Sequence, residues 1–152
     1  AMSALTTHDM PTLRGFWHCD DLSLGRDLGL YPDEEKLQDL YRERHSGKQA
    51  ILDSLRWHGL LPGHIGNDVS WVGMNTALSH ALQEHMCRGN TALFSTQLED
   101  WLEMDKPVNV PGTCTEYPNW RRKLSKDLES FLNDPALAVL ARRLTNARKQ
   151  LQ

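Results

Sequence analysis

A histidine and an aspartate, His8 and Asp9, stand side by side in the stretch ALTTHDMPTLRGFW, between a short apolar run and Pro11. An imidazole next to a carboxylate can exchange protons and bond to hydroxyl groups, so the pair has catalytic chemistry within reach. The same residues have a plainer use. Asp or Thr shortly before a proline marks a helix start, where a side-chain oxygen accepts free N–H groups and Pro11 enters the first turn. Taken alone, the stretch favours the cap.

The other chemistry-bearing groups are also ambiguous. In VNVPGT, Asn109 precedes Pro111 and Gly112, which by local chemistry form a proline–glycine turn. His18-Cys19-Asp20 and His80 with Glu84-His85 bring metal-ligand residue types close in sequence. A zinc site needs a convergent set of ligands, which this spacing does not supply, so no metal is expected. Trp17, Trp71, Trp101 and Trp120 could offer flat faces to a sugar ring, but packing is the commoner use of an indole and is expected at each.

These residues must be positioned by a chain of 152 residues, 39% hydrophobic and 24% charged, the balance of a soluble globular protein with a core of its own. No stretch approaches the roughly 18 apolar residues of a membrane span, and no signal peptide is recognisable. Cys19, Cys87 and Cys114 are odd in number and lack CxxC spacing. They predict free thiols in a reducing cytoplasm rather than a disulfide framework. Charge is split, −8 over residues 1–105 and +5 over 106–152. The basic residues fall on amphipathic segments without interleaved aromatics, so nucleic-acid binding is not expected.

Spacing predicts a helix from Asp33, a capping residue followed by Glu34 and Glu35, with Leu37, Leu40, Tyr41, Ile51, Leu52 and Leu55 on one stripe and Gly59 as a stop. Ser46 and Gly47 predict a kink or break within it. A second helix begins near Asn75, buries Leu78, Ala81, Leu82 and Met86, and ends at Gly89. A third opens at Asp134-Pro135 and repeats Leu137, Leu140, Leu144, Ala147 and Leu151. Strand signals are short: Ala4–Thr7, Thr91–Ser95 and, more weakly, Val108–Val110. The fold class is mainly α with two or three short strands. The β-α-β-α order suits a parallel sheet or barrel with too few strands to close.

Four stretches carry a resemblance over the whole chain: THDMPTLRGFW (Thr7 to Trp17), LGLYPDE (Leu28 to Glu34), LEDWLEM (Leu98 to Met104) and VNVPGTCTEYPNWRRKL (Val108 to Leu124). In this order they resemble glycoside hydrolase family 77, the bacterial 4-alpha-glucanotransferases or amylomaltases of maltodextrin metabolism. The resemblance implies the C-terminal part of a (β/α)₈ TIM barrel, its last two βα units. Residues 1–32 would hold a strand end with the THD motif and short helices, 33–89 a helical region, 90–124 the last strand and the NVPGT loop, and 125–152 C-terminal helices.

The family uses a nucleophilic Asp in an R-x-D-H motif, an acid/base Glu in G-E-D, and a third Asp in T-H-D. Only the third motif is present, at Thr7, His8 and Asp9. The resemblance therefore implies that Asp9 stabilises the transition state and His8 helps fix the same sugar ring. Asn109 and Gly112 would bind substrate from the turn, and Arg14 would bind substrate or form a structural salt bridge. Maltooligosaccharides and glucose would be donor and acceptor, with retention through a glycosyl-enzyme intermediate and no cofactor. The chain by itself would be inactive, and its barrel-facing surfaces would drive homo-oligomerisation. A self-standing helical carbohydrate-binding or protein-interaction module is the alternative.

Overall fold

The computed structural model describes residues 1–150. Two strands, β1 (Met2–Ala4) and β2 (Leu93–Ser95), pair in parallel with Met2 opposite Leu93 and Ala4 opposite Ser95. Parallel neighbours need a crossover. Here it is helical: α1 (Leu13–Trp17), α2 (Asp20–Asp27), α3 (Glu34–Trp57), a 3₁₀ turn (Val69–Trp71) and α4 (Thr76–Cys87). After β2 come α5 (Leu98–Trp101), a long irregular loop, α6 (Leu128–Leu132) and α7 (Pro135–Lys149).

Three of the predicted caps form as expected. Asp33 accepts from the Lys36 amide, Asn75 from Leu78 and Asp134 from Ala136, with Pro135 opening α7. Gly59 adopts φ +69° beyond α3, where Leu60 N–H donates to Leu55 O and Gly59 N–H to Arg56 O, closing a Schellman motif. The predicted interruption at Ser46-Gly47 is absent, and α3 is one helix of 24 residues. Contacts on either side of the glycine hold it: Arg44 grips Asp21 with two bonds of 2.8 Å and the Phe16 carbonyl with a third, while Lys48 donates to Trp17 O. These outweigh the roughly 1 kcal/mol helix penalty of glycine.

Leu13, Trp17, Leu52, Leu55, Leu78 and Leu82 build the main core between α1, α3 and α4. A smaller cluster joins Cys87 to Leu140, Leu144 and Ala147 of α7, with Phe94 of β2 and Trp101 against it. Met86, expected in the core, is 36% exposed because its neighbour Cys87 takes the buried position facing α7. Leu151 lies outside the described residues.

The strands differ from expectation. β1 is Met2–Ala4 and shares only Ala4 with the expected Ala4–Thr7, and β2 begins at Leu93 rather than Thr91; beyond Ala4, Leu5 N–H still donates to Ser95 O, but Thr6 bonds to the side chains of Asp100 and Gln97 instead of the strand. Val108–Val110 is not a strand: Val108 O accepts from Trp120 N–H and Val110 N–H donates to Asn119 Oδ1, so both backbone groups serve the loop's own closure.

Candidate functional site

The loop carrying His8 and Asp9 is secured from below by a buried carboxylate. Asp100 of α5, 2% exposed, accepts from Thr6 Oγ1 at 2.5 Å and from the Leu13 amide at 2.7 Å. Gln97 Nε2 adds a bond of 2.6 Å to the Thr6 hydroxyl. One side chain thus ties the end of β1, the start of α1 and α5 together. Burial pushes the Asp100 carboxyl above its ordinary range, and the bonds from Leu13 and Thr6 work against that rise.

Asp9 does not cap the helix. That position belongs to Thr12, whose Oγ1 accepts from Gly15 N–H, and Pro11 stands before the cap instead of within the first turn. Asp9 instead lies in a turn closed by Met10 N–H to Thr7 O. Its carboxylate is half-exposed, with Oδ2 3.3 Å from His8 Nε2 and Oδ1 accepting from Asn109 Nδ2 at 2.7 Å. Two residues one hundred positions apart meet at this bond.

The second loop is built to hold Asn109. Tyr117 is buried and its hydroxyl donates to Pro107 O, while Asn119 bridges Val110 N–H and Thr113 Oγ1. Thr113 N–H donates to Val110 O across Pro111-Gly112, and Gly112 takes φ +86°, as a turn with glycine at its third position requires. Trp120 also has a left-handed backbone, φ +61°, and brings its ring 5.0 Å from that of His8.

Between the loops lies a cleft of about 160 Å³ lined by Asp9, Asn109, Leu30, Tyr31, Pro107 and Val110. It offers the Asp9 carboxylate with an amide held against it, the Asp21 carboxylate paired with Arg44, and apolar walls. His8 stands 3.3 Å from Asp9 Oδ2 with Trp120 beside it, both outside the lining of this cleft. A site of this composition can bond to adjacent hydroxyls while an aromatic face covers C–H groups.

The structure thus brings His8, Asp9 and Asn109 together. Gly112 shapes the turn, its Cα side facing Leu30, where an added Cβ would come within 3.9 Å of Leu30 Cδ2. Arg14 is not brought to Asp9; its guanidinium donates to Met74 O at 3.4 Å. The expectation that all four tryptophans pack holds for Trp17, but Trp120 and Trp71 are 62% and 87% exposed. Asn119, Tyr117 and Asp100 are the contributors not singled out from sequence, although all three lie inside the LEDWLEM and VNVPGTCTEYPNWRRKL stretches, and Trp120, expected to pack, instead stands beside His8. Among the described residues, no three His, Cys, Asp or Glu side chains converge on one point, and no helix is long and apolar enough to cross a membrane.

The sequence profile of the 4-alpha-glucanotransferases, glycoside hydrolase family 77, matches residues 1–129. A 4-alpha-glucanotransferase of Haemophilus influenzae is 34% identical over 97% of this chain, and one of Mycobacterium bovis 31% identical over 92%. The chain spans 21% and 19% of their lengths. The crystal structure of amylomaltase from Corynebacterium glutamicum superimposes with a TM-score of 0.76 at 24% identity, over 97% of this chain and 21% of that one, a likeness of fold.

Proposed function

The chain belongs to the 4-alpha-glucanotransferase family, glycoside hydrolase family 77, and on that premise we propose that it carries the transition-state-stabilising corner of an active site transferring 1,4-α-D-glucan segments. The acceptor is another glucan or glucose, and the reaction proceeds with retention. The bond between Asn109 and Asp9 carries this reading, because it joins the two most distinctive stretches of the chain in one cleft.

Retaining transfer needs a nucleophile and an acid/base about 5–5.5 Å apart, and passes through a flattened, positively charged sugar. R-x-D-H and G-E-D motifs are absent from this sequence. Asp9 makes no bond in the reaction. Its carboxylate accepts hydrogen bonds from ring hydroxyls that move closer as the sugar flattens, and its charge opposes the charge developing there. Asn109 holds Oδ1, so only a favourable hydroxyl geometry need be selected at the moment of reaction. His8, turned toward Oδ2 and backed by Trp120, limits the swing of the carboxylate and borders the same ring.

In this account β1 and β2 are neighbouring strands of a (β/α)₈ barrel, and the THD and NVPGT loops stand at the strand ends where barrel enzymes keep their chemistry. Three free cysteines accord with a cytoplasmic enzyme of maltodextrin metabolism. The test uses maltotriose. An enzyme of full family length containing these residues should yield glucose together with maltooligosaccharides longer than the donor, whereas the 152-residue chain should yield neither. Glucose released by the chain above a buffer blank, and lost in its Asp9→Asn variant, would contradict the assignment of bond-making to residues outside it.

A further inference from the structure

Trp71 is 87% exposed, yet the backbone that presents it is fixed. The 3₁₀ turn Val69–Trp71 buries Val69 in the main core, Val69 N–H donates to Gln49 Oε1 of α3, and Ser70 N–H donates to Asp68 Oδ1. A rigid turn thus holds an indole that contributes almost nothing to packing. Beside it opens a depression of about 620 Å³ whose walls include His18, His45, Lys48, Ser70 and Val72. None of its lining residues belongs to the Asp9 cleft.

We propose that this depression is a second, non-catalytic glucan-binding surface, on which glucose rings of an α-1,4-glucan rest against the Trp71 indole. The ligand class rests on the glucan reading above. A glucose ring has one apolar C–H face and a rim of hydroxyls that both donate and accept, so it needs one flat aromatic face among small polar groups. The depression has that pattern. Trp71 supplies the face, the paired His45 Nε2 and Ser70 Oγ, 3.1 Å apart, supply a donor and an acceptor, and the Lys48 ammonium stands beside them, held by Trp17 O at 2.8 Å. A protein partner would call for a larger contiguous apolar patch, whereas here the exposed Trp71 indole and Val72 alternate with His18, His45, Lys48 and Ser70, and Trp17 and Val69, which also line the wall, are buried in the core. Because the turn is anchored, little ordering is required on binding, and weak single-chain affinity is multiplied on a polymer that offers many segments.

The test is native electrophoresis of the 152-residue chain through gels with and without amylopectin. Amylopectin should retard the wild type, Trp71→Ala should weaken retardation about tenfold, and Trp57→Ala, removing an equally exposed indole at the end of α3, should migrate as wild type. Thermal melts should match for all three, since neither indole is packed. An unretarded wild type, or a Trp71→Ala variant retarded as strongly as wild type, would overturn the proposal. Retardation abolished by Asp9→Asn and kept by Trp71→Ala would place the binding in the cleft instead. Trp71-dependent retardation in hydroxyethylcellulose but not in amylopectin would overturn the α-glucan ligand, while turnover of maltotriose by the family-length enzyme judges the catalytic reading separately.

Discussion

Replacing Asp100 tests whether the catalytic-like loop is held from beneath. In Asp100→Ala, the Leu13 amide and the Thr6 hydroxyl lose their acceptor at a position only 2% exposed. Each buried donor left unpaired costs about 1–3 kcal/mol, so the variant should lose about 2–6 kcal/mol in total. For a chain of this size that is a fall in Tm of about 4–24 °C. Asp100→Asn should cost less, about 1–3 kcal/mol, because the amide oxygen still accepts from Leu13 and no buried charge remains, while the Thr6 hydroxyl, which already accepts from Gln97, is the one donor left without its acceptor.

The pH dependence has a definite sign. Burial raises the Asp100 carboxyl above its ordinary value of 3.8 in the folded chain. The folded state then holds the proton more tightly than the unfolded state, so the Asp100 contribution is complete below pH 3.8 and declines as pH rises through the folded value. The advantage of wild type over Asp100→Asn should therefore shrink between those limits and level off above them. Urea unfolding followed by circular dichroism from pH 3.5 to 8 measures both effects. An Asp100→Ala variant within about 0.5 kcal/mol of wild type, or a wild-type advantage that grows with pH across this interval, would show that Asp100 does not secure the loop.

Asn109→Ala in a family-length enzyme should lower kcat about tenfold by releasing Asp9 Oδ1, and adding it to Asp9→Asn should cost little more, since both act through one bond. Fully additive losses in that cycle would show that the two side chains act separately. The 152-residue chain should self-associate, because Met2 and Leu93 are exposed on the short sheet and an apolar groove of about 420 Å³, lined by Leu5, Leu13, Phe16, Ile51, Leu82 and Met86, opens beside it. Light scattering that returns a monomer mass at high concentration would count against this.

What could be read from sequence was local. Asp33, Asn75 and Asp134 cap helices because a short oxygen-bearing side chain reaches amides two or three residues on, and Gly59 closes α3 because glycine accepts a positive φ. Periodicity found Leu37, Leu52, Leu55, Leu78, Leu140 and Leu144. It failed where a neighbouring element decided the outcome. Gly47 stays helical because Arg44 and Lys48 are gripped by the segment 16–21, and Met86 yields the buried position to Cys87 because α7 approaches from that side. The site divides in the same way. THD and NVPGT were visible as stretches, but the cap that Asp9 seemed to offer belongs to Thr12, and the left-handed turn that brings Trp120 to His8 has no signature in an indole residue.

The proposed stabilisation of a transition state by Asp9 is tested by Asp9→Asn in a family-length enzyme. The swap keeps size and removes charge from a half-exposed side chain that caps no helix. On maltotriose, kcat and kcat/KM should fall together by about 100-fold or more, with KM nearly unchanged and Tm close to that of wild type. Normal turnover, or lost turnover accompanied by a large fall in Tm, would contradict the account.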